Sequence, residues 1–347
     1  MNFRVLERRD LENARTPFRV IQDNGQEVEW VNRFLDRERV RSVAETTLRS
    51  YAYDLLHFLR WWVGVNHTTA ITEEALTESA LLDYIRFQTN QQPRPAAASL
   101  NRRVGIAERA LRLAFPDAQI PFVPGFQYGY WRPSPLGAGR PRPALSRLRV
   151  KTPKRVIVPL SADEVAHFWA SFRTSRDLAI VGLMLLDGLR SCEVLALDRD
   201  DLLLSESQMR VRGKGSKPRW LPLPAETIQL LDHYLRLERP LHCGSPLFVG
   251  LKGRARGRRM TAAGLRSLFR HHRRTTSVRQ ANPHRFRHTF ATDMVRAGIG
   301  LPALMQLMGH SKIETTLVYV QLTSQDVYRQ YARAVAQQVR LGPLAQS

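Results

Sequence analysis

Six side chains stand where a plain helical core has no use for them. Arg190 follows an apolar run at a glycine turn, in Asp187-Gly-Leu-Arg190-Ser-Cys-Glu193. Lys214 sits in the glycine-framed stretch Gly213-Lys-Gly-Ser-Lys217. His284 and Arg287 stand in Pro283-His-Arg-Phe-Arg-His288, His310 follows Gly309, and Tyr319 comes nine residues later. Two guanidiniums can clamp the non-bridging oxygens of one phosphate. Two imidazoles add donors or proton relays near neutral pH. A lysine at a turn tip can protonate a departing alkoxide, and a dense positive field favours the phenolate of a tyrosine nucleophile. Together they describe phosphoryl transfer in which protein cations stabilise a pentavalent phosphorane. The motifs themselves contain no paired carboxylates of DxD or DxE type to hold magnesium. His284 and His288 are four apart, but no HExxH and no third ligand accompany them. The set calls for neither metal nor cofactor.

The elements that must position these residues read as mainly α with a small β-hairpin or sheet, an α+β fold. Residues 1–27 lack periodicity and read as an N-terminal arm. Residues 28–115 read as a helical bundle: Ser42-Val-Ala-Glu45 has capping-box form, and Leu48, Tyr51, Leu55, Leu59 and Trp62 recur on one face. Helical patterns follow over Glu73–Asn90 and Ala97–Ala114. Residues 116–157, dense in proline, glycine and arginine, cannot build a helix or central strand and read as a basic linker. A second domain runs over residues 158–330. It opens with a capping box at Ser161-Ala-Asp-Glu164 and an apolar helix over Asp177–Leu186 stopped at Gly188. A helix restarts over Ser191–Leu197, short strands over Gln208–Arg212 and Arg219–Leu223 flank the lysine turn, and helices follow Thr261. Ile180, Val181, Met184 and Leu185 are core, as is the face of Leu301, Leu304, Leu307 and Met308. His271 and His272, among arginines, read as solvated or phosphate-facing. In the tail over 331–347, Tyr331, Val335 and Val339 continue a helical spacing from Tyr328, suited to docking on a neighbouring protomer.

Composition narrows the partner. Lys plus Arg number 53 against 31 Asp plus Glu in 347 residues, a net charge of +22. That excess implies a polyanion, nucleic acid before an anionic membrane surface. From Ala118 to Ala162 there is no acid among eight Lys and Arg, and from Leu251 to His288 none among twelve. Arg147, Arg149 and Lys151 in the linker, with Lys217 and Arg219 by the lysine turn, are the candidate DNA contacts. A hydrophobic fraction of 43% excludes a disordered chain. No apolar run reaches the length of a membrane span, and the first residues lack a signal-peptide core. Two cysteines make neither a disulfide framework nor a zinc site, so a reducing cytoplasm is expected, with the chain on the nucleoid when DNA-bound.

Gly188-Leu-Arg190-x-x-Glu193, Gly213-Lys214-Gly, His284-x-x-Arg287-His288, Leu307-Met-Gly-His310-Ser and Thr315-Thr-x-x-Tyr319 together resemble the signature of the tyrosine recombinases, or phage integrases. Order and spacing both agree, with 24 residues from Arg190 to Lys214 and 26 from His284 to His310. The resemblance is close over residues 158–330 and weaker over the helical bundle, which is similar to that family's core DNA-binding domain. It implies a C-shaped clamp on duplex DNA, a dimer on each site, and a tetramer in synapsis passing through a Holliday junction. Other recombinases of the same mobile element are possible partners under it, and no membrane is involved. It implies that Arg190 and Arg287 clamp the phosphate, that His284 and His310 assist protonation and charge stabilisation, and that Lys214 is the general acid. Lys217 rivals Lys214, whose glycine-framed context favours it. Tyr319 is then the nucleophile that forms a 3′-phosphotyrosyl link, and Glu193 orients Arg190 or its neighbours. Phe286 replaces a smaller aliphatic residue and should alter packing alone, and Cys192 beside the clamp is expected to be buried. The competing readings are a type IB topoisomerase, disfavoured by the integrase-like spacing, and a non-catalytic DNA-binding protein, which has no need of Tyr319.

Overall fold

Apolar residues three and four apart build most of this chain into helices, and two short antiparallel sheets complete it. The structure is a computed structural model and describes residues 2–8, 15–118, 148–153, 158–213, 218–310, 313–317, 331–332 and 335–336. The chain divides into two units, Met1–Arg155 and Val156–Ser347.

The first unit contains β1 (Phe3–Glu7), β2 (Phe18–Gln22), α1 (Glu29–Val40), α2 (Glu45–Asn66), α3 (Glu78–Thr89) and α4 (Ala97–Ala114). On α2, Leu48, Leu55 and Leu59 face α1 and the β-pair, while Phe58, Trp61 and Trp62 turn to α3 and α4. One 22-residue helix thereby serves two core clusters. The loose arm expected over residues 1–27 is corrected: β1 and β2 pair antiparallel, Phe3 opposite Gln22, and bury Phe3, Phe18 and Val20 in the helical core. Neither FRVLE nor FRVIQ alternates apolar and polar residues along its whole length, and β2 is buried on both faces, so no period of two marks them. The capping box expected at Ser42 does not form. Ser42 takes a left-handed turn with φ 59°, and α2 begins after Ala44 without a side-chain cap. The third helix starts at Glu78 under a Thr77 cap, later than its pattern suggested. Part of the expected linker belongs to this unit. Leu148 and Val150 pack on its core, and the Asn101 amide both donates to and accepts from the Val150 backbone at 2.9 Å.

The second unit contains α5 (Ala162–Ala170), α6 (Ser175–Leu185), α7 (Ser191–Ala196), β3 (Leu202–Leu203), β4 (Gln208–Arg212), β5 (Pro218–Pro222), α8 (Ala225–His233), α9 (Ala262–Thr276), α10 (Pro283–Ala297), α11 (Leu301–Met308) and α12 (Ile313–Leu317). The Ser161–Glu164 capping box forms as its spacing requires. The strands form a β3-β4-β5 meander. Helix α6 is buried along most of its length, contributing Ile180, Val181 and Met184 to a core shared with Met209, Val211, Leu221 and Phe286. Helix α10 starts on Pro283 with Asn282 as cap, Oδ1 accepting from Arg285 N at 3.0 Å. His272 is not phosphate-facing: it lies buried, its ring tilted 35° against Phe172 with centroids 4.0 Å apart and bonded to Ser171 Oγ at 2.8 Å. Cys192 is exposed, not buried, because the core face of the short α7 is taken by Glu193 and Val194. Among the described residues no helix is long and apolar enough to cross a membrane.

Phe286 is fully buried against Phe168 and Phe269, with ring centroids 5.3 and 5.9 Å away. Phe286→Ala should cost about 3–5 kcal/mol of stability. Urea unfolding checks this, and a loss below about 1 kcal/mol would contradict the packing described.

Candidate active site

The site is organised by a buried carboxylate. Glu193, at the third position of α7, accepts from the Arg190 backbone N–H at 2.9 Å, closing the helix start on itself. Its Oε1 accepts from Arg190 Nη1 at 2.8 Å. Arg219 approaches from β5 and donates through both Nη atoms, at 3.0 Å to Oε1 and 3.1 Å to Oε2. Arg287, from α10, places Nη1 3.7 Å from Oε2. Burial works to raise the Glu193 pKa, but hydrogen bonds from Arg219 and the Arg190 backbone, with both guanidinium charges, hold it below the ordinary carboxylate range. Three guanidiniums face this one carboxylate, so a net positive charge remains to meet an anion.

The same arginines cap a helix end. The last carbonyls of an α-helix lack partners within it and carry the negative end of its dipole. At the end of α11, Leu307 O accepts from Arg219 Nε at 3.2 Å, Met308 O from Arg287 Nη2 at 2.6 Å, and Gly309 O from Arg190 Nη2 at 3.4 Å. Arg287 Nη1 also donates to Gly188 O. Two glycines allow this approach. Gly188 has φ +65°, and a Cβ there would meet the Phe290 ring at 2.3 Å. Gly309 has φ +60°, and a Cβ there would meet Arg219 Nη1 at 2.7 Å.

The histidines follow from this frame. Arg287 Nη2 lies 2.9 Å from His310 Nε2, and His310 Nδ1 lies 2.9 Å from Thr316 Oγ1. A guanidinium has no acceptor, so Nε2 takes the hydrogen bond, and the imidazole proton is assigned to Nδ1, which donates to Thr316. Burial, then the charges of Arg287, Arg190 and Arg219, push the His310 pKa down to about 4. His284 and His288 meet through Nε2 atoms at 3.0 Å. Burial and the neighbouring cations lower both, His288 to about 4. All three imidazoles are therefore neutral at pH 7, and one of the His284–His288 pair must donate to the other.

The structure brings Arg190, Glu193, Arg287 and His310 together and places His284 beside them through the charge contacts of Arg287 and Arg190. Lys214, Lys217, Tyr319, Tyr328, Val339 and Arg147 lie outside the described residues. Arg149 and Lys151 are exposed. Arg219, expected on DNA, turns its three side-chain nitrogens inward to Glu193 and Leu307 O. Strand alternation carried the missing signal, since Arg219 shares the inward face of β5 with buried Leu221. Thr316, buried behind His310, was also missed, although it lies within the Thr315-Thr-x-x-Tyr319 motif. Among the described residues no three His, Cys, Asp or Glu side chains group as a metal site.

The profile of the phage integrase family matches residues 148–326. A tyrosine recombinase XerD of Xanthomonas axonopodis pv. citri is 30% identical over 321 residues, covering 87% of this chain and 95% of that protein. A XerD of Lacticaseibacillus casei is 28% identical over 313 residues, covering 86% and 94%. The Tn1549 transposon integrase, solved in complex with transposon right end DNA, superposes with a TM-score of 0.63 at 18% identity, covering 87% of this chain and 98% of that one. At that identity the likeness is one of fold.

The depressed histidines set a pH window. Unfolded histidine binds a proton near 6.5, whereas His288 and His310 in the folded chain do so only near 4. Between these values the unfolded state holds more protons, so stability should fall as pH drops from about 6.5 to about 4. Thermal melts across this window check it. His310→Gln should flatten part of the slope, and an unchanged slope would contradict the buried neutral imidazole.

Proposed function

The chain belongs to the phage integrase family, the tyrosine recombinases, and on that premise we propose the chemistry by which it acts as a site-specific DNA recombinase. The observation that carries the reading is the convergence of Arg190, Arg287 and His310 on one spot, with Glu193 and the end of α11 fixing their directions. Arg190 and Arg287 hold the non-bridging oxygens of the scissile phosphate. Arg190 is the arm that reorients, because its side chain is 35% exposed and its bond to Gly309 O is long at 3.4 Å. Arg287 is 3% exposed and supplies charge from a fixed place. Tyr319 Oη attacks phosphorus, and its proton passes to the neutral imidazole of His284, while His310, engaged by Arg287 and Thr316, helps hold the charge of the clamp in place. The bond from phosphorus to the 5′ oxygen breaks, and Lys214 protonates the leaving oxygen. The 3′-phosphotyrosyl ester conserves the bond energy, so the 5′-hydroxyl of another strand reverses the step without ATP. Preorganised cations meet the growing negative charge on the phosphorane, which is the main source of rate in such a site.

DNA affinity comes mainly from phosphate contacts and weakens with salt. We assign part of it to exposed Arg149 and Lys151, with Arg147 beside them. Assembly as a dimer on a site and a tetramer in synapsis, with the tail over 331–347 docking on a neighbouring protomer, completes the cycle. Use by a mobile element, alongside its other recombinases, fits the basic linker.

Two experiments test this reading. The chain is incubated with a pool of nicked duplexes of randomised sequence in EDTA, covalent adducts are recovered, and the captured sequence becomes the defined substrate. Tyr319→Phe should abolish the adduct while binding stays within about twofold. Chelator sensitivity, an adduct on another residue, or relaxation of supercoiled DNA without any preferred site would overturn the assignment. Separately, Arg149→Glu with Lys151→Glu should weaken binding about uniformly across sequences and reduce the salt slope, with the rate of cleaving bound DNA unchanged. Unaltered affinity would remove these residues from the DNA face.

A further inference from the structure

We propose that Arg219 is a positioning residue of the phosphate clamp, holding Glu193 and the end of α11 from behind so that Arg190 and Arg287 present their charge to DNA. This deepens the recombinase reading and rests on it. On β5 the side chains alternate, with Trp220 49% exposed and Leu221 buried. Arg219 follows Leu221 inward, opposite buried Val211 of β4. A cation on the inward face of a strand is costly unless paired. Here the side chain is 13% exposed, and both its Nη atoms engage one carboxylate while Nε engages a helix-end carbonyl. Its guanidinium grips both carboxylate oxygens, whereas the Arg190 guanidinium bonds Oε1 through Nη1.

This grip divides the labour. With Arg219 on both oxygens, Arg190 uses one Nη atom on Glu193 and leaves Nη2 on the weak contact to Gly309 O. Without Arg219, Arg190 alone would hydrogen-bond Glu193, and Arg287, 3.7 Å from Oε2, would be drawn onto the carboxylate. Arg219 also ties β5 to the turn that presents His310, since Gly309 admits its guanidinium where a Cβ would not fit. All three of its side-chain nitrogens are committed to Glu193 and Leu307 O, so its effect passes through Glu193.

The test uses the full chain and the captured duplex. Arg219→Gln should slow single-turnover adduct formation by about 10–100-fold, the range for losing a partner that orients a functional ligand. DNA affinity should stay within about twofold. Arg219→Lys, which keeps the charge but lacks the planar fork, should fall between. In a Glu193→Gln background, Arg219→Gln should cost less than about threefold, because its route of action is already cut. The pH profile supplies a further readout. Glu193 is faced by Arg190 from its own helix, Arg219 from β5, Arg287 from α10 and His310 after α11. Removing Arg219 lets burial dominate, so the carboxylate protonates at higher pH and the acid limb of the bound-complex rate should move upward. Should Arg219→Gln fold poorly, Gly309→Ala crowds the guanidinium without removing its charge and should show the same signature at smaller size. A direct DNA contact would instead lower affinity and salt slope while sparing cleavage of bound DNA, which overturns the proposal. Full additivity with Glu193→Gln, or an unmoved acid limb, overturns it too. If the wild-type chain yields no adduct from the pool, the recombinase reading itself fails, a distinct result.

Discussion

One carboxylate holds this site in shape. Glu193 is buried, and a buried carboxylate survives only with charged partners and satisfied oxygens. Its partners come from three places in the sequence: Arg190 beside it, Arg219 on β5 and Arg287 on α10. The same guanidiniums satisfy successive carbonyls at the end of α11. A helix dipole and a carboxylate therefore provide the negative charge that keeps three mutually repelling cations in one small volume. A phosphate can then use positive charge assembled during folding, not at the moment of binding.

Neutral histidines are a consequence of that assembly. With guanidiniums so close, protonated imidazoles are disfavoured, and each imidazole is held by a directional hydrogen bond. His310 lies between Arg287 and Thr316, and His284 is paired with His288. Being neutral near pH 7, such groups offer directional hydrogen bonds without adding further repulsion between cations. The two arginines differ in their surroundings: Arg287 is held by backbone carbonyls, whereas Arg190 remains partly solvated.

The scaffold supports this arrangement by stiff packing. Helix α6 runs through the core of the second unit and ends three residues before Gly188, whose backbone is pinned by the Phe290 ring and by Arg287. Helix α10 starts under an Asn282 cap on Pro283, which fixes the phase of His284, Arg287 and His288 around the helix axis. A small displacement of either element would be felt at the carboxylate, because interiors at this density transmit strain.

Much of this was legible in the residue order. The helical periods of α2, α4 and α6, the Ser161 cap, the strand pair around the lysine turn and the family motifs are local patterns, and local sterics and hydrogen bonding dictate local patterns. The β1–β2 pair, the folding back of residues 148–153 on Asn101, and the exposure of Cys192 were not legible, because each depends on a surface supplied from elsewhere. Arg219 shows the boundary most clearly. Its charge and place near a basic turn pointed to DNA, strand alternation with Leu221 put it on the inward face, and only tertiary structure supplied Glu193 and Leu307 O as its partners. Sequence by itself determined which residue types and local elements could carry phosphoryl chemistry. Tertiary structure decided which cations share the carboxylate and which stay open to solvent, because that choice depends on distances between segments far apart along the chain.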